Sequence, residues 1–94
     1  MKLYYTDDAL EDIELAFDWY EEQSHGLGQV FIDCLEQGVQ NIIEFPDTFP
    51  ITHRQYRRKL IKKFPFSIFY TIEINEIIVH AVFDNRQHPK KIPK

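Results

Sequence analysis

Residues 64–89 read FPFSIFYTIEINEIIVHAVFDNRQHP, and how this stretch folds decides the rest of the chain. Phe66, Ile68, Tyr70 and Ile72 alternate with Ser67, Phe69, Thr71 and Glu73, the period of two that marks a strand with one buried face. A second β-rich run, Ile77 to Phe83, follows the polar break Ile74-Asn75-Glu76. Asn tolerates the left-handed backbone that a tight hairpin needs, so two long antiparallel strands are expected. The second runs out into Asp84-Asn85-Arg86-Gln87-His88-Pro89. Polar side chains gathered at a strand exit are a common place to build a site, and any chemistry is expected near there.

Upstream, HRQYRRKLIKK at 53–63 carries Arg54, Arg57, Arg58, Lys59, Lys62 and Lys63. Tyr56 to Lys63 is read as a strand. Alternation puts Arg58, Leu60 and Lys62 on one side and Arg57, Lys59, Ile61 and Lys63 on the other, so the register is open, but at least one row of cations must face solvent. Pro65 has no N–H for a ladder and belongs at a strand start or bulge. Residues 47–52 are read as turn and loop.

The N-terminal half reads as helical after a short strand, Lys2 to Tyr5. Thr6 is a candidate N-cap, with Asp7 and Asp8 in the first turn where their charges favour the helix dipole. Ala9, Leu10, Ile13, Ala16, Phe17 and Tyr20 form the apolar stripe of a first amphipathic helix. Its back carries Glu11, Glu14, Asp18 and Glu22 with no cation among them: a solvated face or a recognition surface. Leu15 and Trp19 lie off the stripe as i, i+4 neighbours, and this pair is either a docking patch for a partner or is covered by terminal residues. Gly26 suits the end of this helix. A second helix runs to about Glu44, with Leu27, Val30, Phe31, Cys34, Leu35, Gly38 and Ile42 on its stripe. Gly38 inside that stripe implies close backbone approach, and the helix must stop before Pro46. The short link makes the helices an antiparallel hairpin.

The expected order is β-α-α-β-β-β, an α+β fold in which the helical hairpin packs on one face of a mostly antiparallel four-stranded sheet. The 94 residues make one domain, 1–94, with 89–94 as a loose tail. The lone Cys34 excludes an internal disulfide and is expected as a buried thiol. The start meets acid before any apolar segment forms and no run reaches a membrane span, so a cytoplasmic protein without a membrane partner is expected. The net charge of −4 hides a split: residues 1–53 hold twelve acids and one cation, residues 54–94 ten cations and three acids. That asymmetry is satisfied either by a charged partner or by acidic helices lying beside basic strands.

His25, His53, His80 and His88 show no metal-ligand spacing, and there is no glycine-rich phosphate loop or nucleophile motif. Neither metal nor cofactor is expected. What remains is a cation-rich sheet: Arg57, Arg58, Lys59, Lys62 and Arg86 are candidates for nucleic-acid binding. Arg58, Lys62, Arg86 and His88 are the candidate set for a metal-independent ribonuclease, a cation stabilising phosphorane charge while another group moves protons. Charges that protect a sheet from edge pairing are the plainer account. Arg86 is the first of these candidates, although an ion pair with Asp84 would also explain it.

The element order, the step Tyr56-Arg57-Arg58 followed by Phe64-Pro65-Phe66-Ser67-Ile68-Phe69-Tyr70, and the ending Ala81-Val82-Phe83-Asp84-Asn85-Arg86-Gln87-His88-Pro89 resemble the RelE/ParE superfamily of bacterial toxins. The resemblance covers nearly the whole chain. It implies the toxin of a type II toxin–antitoxin module, neutralised by a cognate antitoxin, that either cuts mRNA on the ribosome as RelE-like toxins do or poisons DNA gyrase as ParE-like toxins do. Ser67 stands where RelE-like ribonucleases typically carry an arginine, and Asp84 where the superfamily's strand-end pattern often has histidine, while the arginine two residues on is kept as Arg86. Both departures favour the ParE-like activity, with the ribonuclease, or a non-toxic module kept for antitoxin binding and autoregulation, as alternatives.

Overall fold

The computed structural model describes residues 1–92. Strand β1 (Lys2–Tyr5) leads through Thr6 into helix α1 (Asp7–Gln23); α2 (Leu27–Glu44) follows, then strands β2 (Ile51–His53), β3 (Tyr56–Leu60), β4 (Phe66–Glu73) and β5 (Glu76–Asp84), and a 3-10 turn at Pro89–Lys91. Thr6 caps α1 as expected, its Oγ1 accepting from Ala9 N at 3.1 Å. The link between the helices is held by Glu21, whose carboxylate accepts from Gly26 N and Gly28 N at 3.0–3.1 Å while Gly26 takes φ 88°.

The sheet has five strands in the order β1-β5-β4-β3-β2, and β1 lies parallel to β5 while the other pairs are antiparallel. The expected four-stranded sheet is therefore corrected to a mixed five-stranded one. The added strand is β2, from a segment read as loop up to Thr52. The β4–β5 hairpin turns on Ile74 and Asn75, with Asn75 at φ 59°. The strand expected over Tyr56 to Lys63 stops at Leu60, and Lys63 takes a positive φ of 68° in the bend that follows.

Phe66, Ile68, Tyr70, Ile77 and Val79 face the helices and join Phe31, Leu35 and Ile42 of α2 and Ala9, Ala16 and Tyr20 of α1 in the main core. Phe69 pairs with Ala81 but Tyr70 pairs with Val79, so His80 is the extra residue of a bulge, which reverses the facing of everything after it. Val82 joins the main core, while Ala81 and Phe83 join Tyr56 and Phe69 in a small cluster on the other face, against which Ile92 packs. The tail expected to be loose thus begins with a turn and a packed Ile92; Pro93 and Lys94 lie outside the described residues.

Six side chains expected in the core are less buried than their spacing implied. Leu10 and Val30 are exposed and Ile13, Phe17, Leu27 and Cys34 are only partly buried, because the apolar stripes are wider than the sheet surface they cover. Gly38 does approach the sheet closely: a Cβ there would lie 3.1 Å from Ile68 Cδ1. Gly28 is tighter still, since a Cβ would meet the Phe17 ring at 2.8 Å and the Phe17 carbonyl at 2.9 Å. Gly28→Ala is expected to cost about 1–3 kcal/mol, seen as a lower urea midpoint, and more than Gly38→Ala, where only the end of a flexible side chain must move.

Candidate functional site

The parallel partner of β5 ends early. Tyr5 of β1 pairs with Val79, the Thr6 N–H donates to Val79 O at 3.0 Å, and Thr6 Oγ1 donates to His80 O at 3.2 Å. The chain then leaves the sheet as α1, while β5 continues to Asp84. Among the described residues no strand lies on that side of β5 beyond Val79, and a groove of about 790 Å³ runs between this edge and α1. A free strand edge carries unpaired N–H and C=O groups. Here a side chain stands in for the missing strand: Asp12 Oδ2 accepts from Val82 N at 3.0 Å. Burial pushes the Asp12 carboxyl above the usual range; the Val82 N–H opposes this, and the charges of Asp8 and Glu11 reinforce it.

Along the groove the α1 wall changes character from Asp8, Glu11 and Asp12 to Leu15 and Trp19. Leu15 is 61% exposed and Trp19 48%, so neither is covered by terminal residues. At the far end the bulge has turned Asp84 to the helix side, where it receives Arg86. Arg86 Nε donates to Asp84 Oδ1 at 3.0 Å, Nη2 to Oδ2 at 2.8 Å, and the Arg86 backbone N–H to Oδ1 at 2.9 Å. The guanidinium lies 5.6 Å from the centre of the Trp19 ring. These bonds hold the Asp84 carboxyl below its ordinary range, with partial burial opposing them. The pair that was one explanation of Arg86 is present.

The basic residues grouped by sequence are not one surface. Arg57 and Lys59 face the helix layer. Arg57 Nη1 donates to Phe49 O at 2.8 Å and Asp47 O at 3.1 Å. Lys59 Nζ sits 4.8 Å from the centre of the Phe49 ring. Beside them Tyr70 Oη donates to Pro46 O at 2.6 Å, and burial pushes its pKa to about 12. Arg58 is on the opposite face, its Nε donating to Ser67 Oγ at 2.7 Å. Lys62 is exposed in the bend after β3. His88 uses its Nδ1 to accept from Lys90 N at 3.1 Å, capping the 3-10 turn. His80 is packed, 2.8 Å from Thr71 Oγ1 with its ring against Tyr56, and burial holds its pKa down. Nor do the helix carboxylates pair with the sheet cations: among the described residues, no ion pair joins a helix acid to a strand base.

A mixed five-stranded sheet under a helical hairpin, with a groove along the outrun edge of β5, is the frame against which known proteins were compared. Residues 3–89 match the family model of the ParE toxin of the type II toxin–antitoxin system parDE. The chain belongs to the ParE toxin family. It is the toxin of a parDE system, whose partner is a cognate ParD antitoxin. The fold is shared with a solved structure described as the chromosomal ParDE system from P. aeruginosa, at a TM-score of 0.80 and 17% identity, over 89% of this chain and 95% of that one. No curated protein matches the chain in sequence.

Two residues of the toxin were missed by sequence reasoning. Asp12 was one acid in an acidic helix, with nothing to show that a strand edge faced it. Asn85 was noted only as part of a polar exit; its side chain accepts from Ser67 Oγ at 2.7 Å. Ser67 and Asp84, the two departures from the ribonuclease pattern, hold Arg58 and Arg86 respectively. Among the described residues no group of His, Cys, Asp or Glu could hold a metal ion, and no helix is long and apolar enough to cross a membrane.

Proposed function

We propose that this toxin acts in the cytoplasm by protein contact, with DNA gyrase or another protein as its target, and that ParD docks in the groove between α1 and β5. The observation that carries the first part is the bidentate Asp84–Arg86 pair. It neutralises the arginine at the strand end on which a phosphodiester-cleaving site would depend. The other ribonuclease candidates are dispersed: Arg58 on the open face, Lys62 in a bend, His88 in a cap. The docking site is supported by exposed Leu15 and Trp19 beside a strand edge held by one carboxylate. Its acidic end suits a partner segment carrying lysine or arginine, and the strand edge suits an extended segment, which adds main-chain hydrogen bonds.

Inducible expression in a bacterial host, with pulse labelling of DNA and protein synthesis, tests the activity. DNA synthesis should fall before translation. Immediate translational arrest with cut mRNA would replace this reading by the ribonuclease. Unimpaired growth would leave a non-toxic antitoxin-binding module.

A further inference from the structure

The open face of the sheet holds a second, smaller pocket, which shares Phe83 and Gln87 with the lining of the docking groove, and we propose that it binds a phosphate group. The pocket has a volume of about 270 Å³; Arg58, Asn85, Gln87 and Thr52 contribute polar groups to its lining, and Phe69 and Phe83 contribute apolar surface. Its geometry is set by a buried relay. Ser67, fully buried in the middle of the sheet, accepts from Arg58 Nε at 2.7 Å and donates to Asn85 Oδ1 at 2.7 Å. The relay fixes the plane of the guanidinium through one nitrogen. It also engages the carbonyl end of Asn85, which leaves the amide N–H₂ end to donate.

The two terminal nitrogens of Arg58 have no hydrogen-bond or ion-pair partner among the described residues. Among the described residues no carboxylate lines the pocket, because the bulge at His80 sends Asp84 to the other face, where Arg86 takes both its oxygens. A partly buried guanidinium with one bond and no counter-charge among the described residues bears desolvation without compensation from them. His53, also in the lining, has a buried Nε2 with no partner, on a ring stacked nearly parallel to Tyr56. Arg58, rather than the enclosed His53 Nε2, is therefore the group that calls for a complement, and it finds none among the described residues.

That complement is an oxyanion. The free edge of a guanidinium presents two parallel N–H groups spaced for two oxygens of one anion. The amides of Asn85 and Gln87 and the Thr52 hydroxyl offer further donors, more than a carboxylate can use and suited to the several oxygens of a phosphate. The volume falls below the range of about 300–1,000 Å³ typical for drug-sized ligands. The site therefore takes inorganic phosphate or the phosphate end of a mononucleotide. Binding here involves no bond-breaking step, and its polar core, Arg58 and Asn85, lies outside the lining of the docking groove.

The test is calorimetric titration of the full chain with inorganic phosphate and with adenosine 5′-monophosphate, at constant ionic strength set by chloride. Saturable binding is expected, with a Kd of about 1 mM or tighter. Arg58→Gln should weaken it by about tenfold or more, whereas Lys2→Gln, which removes an exposed cation on β1, should leave it unchanged. Asn85→Asp places an anion in the lining and should abolish binding, so it decides the matter if Arg58→Gln does not fold. Tighter binding of the nucleotide than of phosphate assigns the site to nucleotides, and equal binding to free phosphate; both uphold it. No saturation up to about 20 mM of either ligand, or affinity that survives both pocket variants, overturns it.

Discussion

Trp19→Ala should weaken capture of the cognate ParD antitoxin by about 2 kcal/mol or more, roughly thirtyfold in Kd. Trp19 is the largest side chain on the groove wall and remains 48% exposed, so it has most of a ring left to bury against a partner. It is also held in place. One edge contacts the Tyr20 ring at 5.0 Å between centres, and its face carries the Arg86 guanidinium, so little rotamer freedom remains to be lost on binding. Leu15→Ala should cost less, having fewer atoms and no such clamp. Because both residues are exposed, the melting temperature should move little, which separates lost contact from lost fold. Calorimetry of each variant with purified antitoxin measures the difference. Wild-type affinity in the Leu15→Ala/Trp19→Ala double variant would remove the groove as the docking site while leaving the family assignment intact.

Much of the fold was legible because its signals are local. The alternation from Phe66 to Ile72 named the face of β4 that meets the helices, Thr6 announced the start of α1, and Asn75 marked the hairpin. What could not be read depends on how strands pair rather than on the pattern within any one of them. Three residues of β2 have no periodicity to show, and only pairing with β3 makes them a strand. The run Ile77 to Phe83 is apolar almost throughout, so the bulge that reverses its facing at His80 left no trace in the pattern. That bulge decides the candidate sites, since it puts Asp84 beside α1 and leaves Asn85 to the open face. The cations of β3 were misleading for a related reason. The apolar stems of Arg57 and Lys59 cover the helix side of the sheet while their heads find loop carbonyls and a phenyl ring. A solvent-facing basic row and this arrangement have the same sequence.

Phe31→Ala should cost about 3–5 kcal/mol, a large share of the roughly 5–15 kcal/mol that holds a domain of this kind together. Phe31 is completely buried and lies at the centre of an aromatic box. Its ring stacks on Tyr20 at 5.5 Å and meets the edges of Phe64 and Phe66 at 5.3 and 5.1 Å. Tyr20 in turn contacts Phe64 and Phe66 directly, so three neighbours lean on the ring that is removed and none can fill its place without abandoning another. Phe31→Leu retains most of the volume and should cost distinctly less. The effect reaches the groove as well: Tyr20 follows Trp19 in α1, and Phe66 pairs with Asp84 in the sheet. The box therefore sets how the end of α1 stands over the end of β5. Urea denaturation monitored by tryptophan fluorescence would report both, because Trp19 is the only tryptophan and senses Arg86 above it. A loss under about 1 kcal/mol for Phe31→Ala would mean that the cavity collapses freely and that the helix–sheet register is held elsewhere.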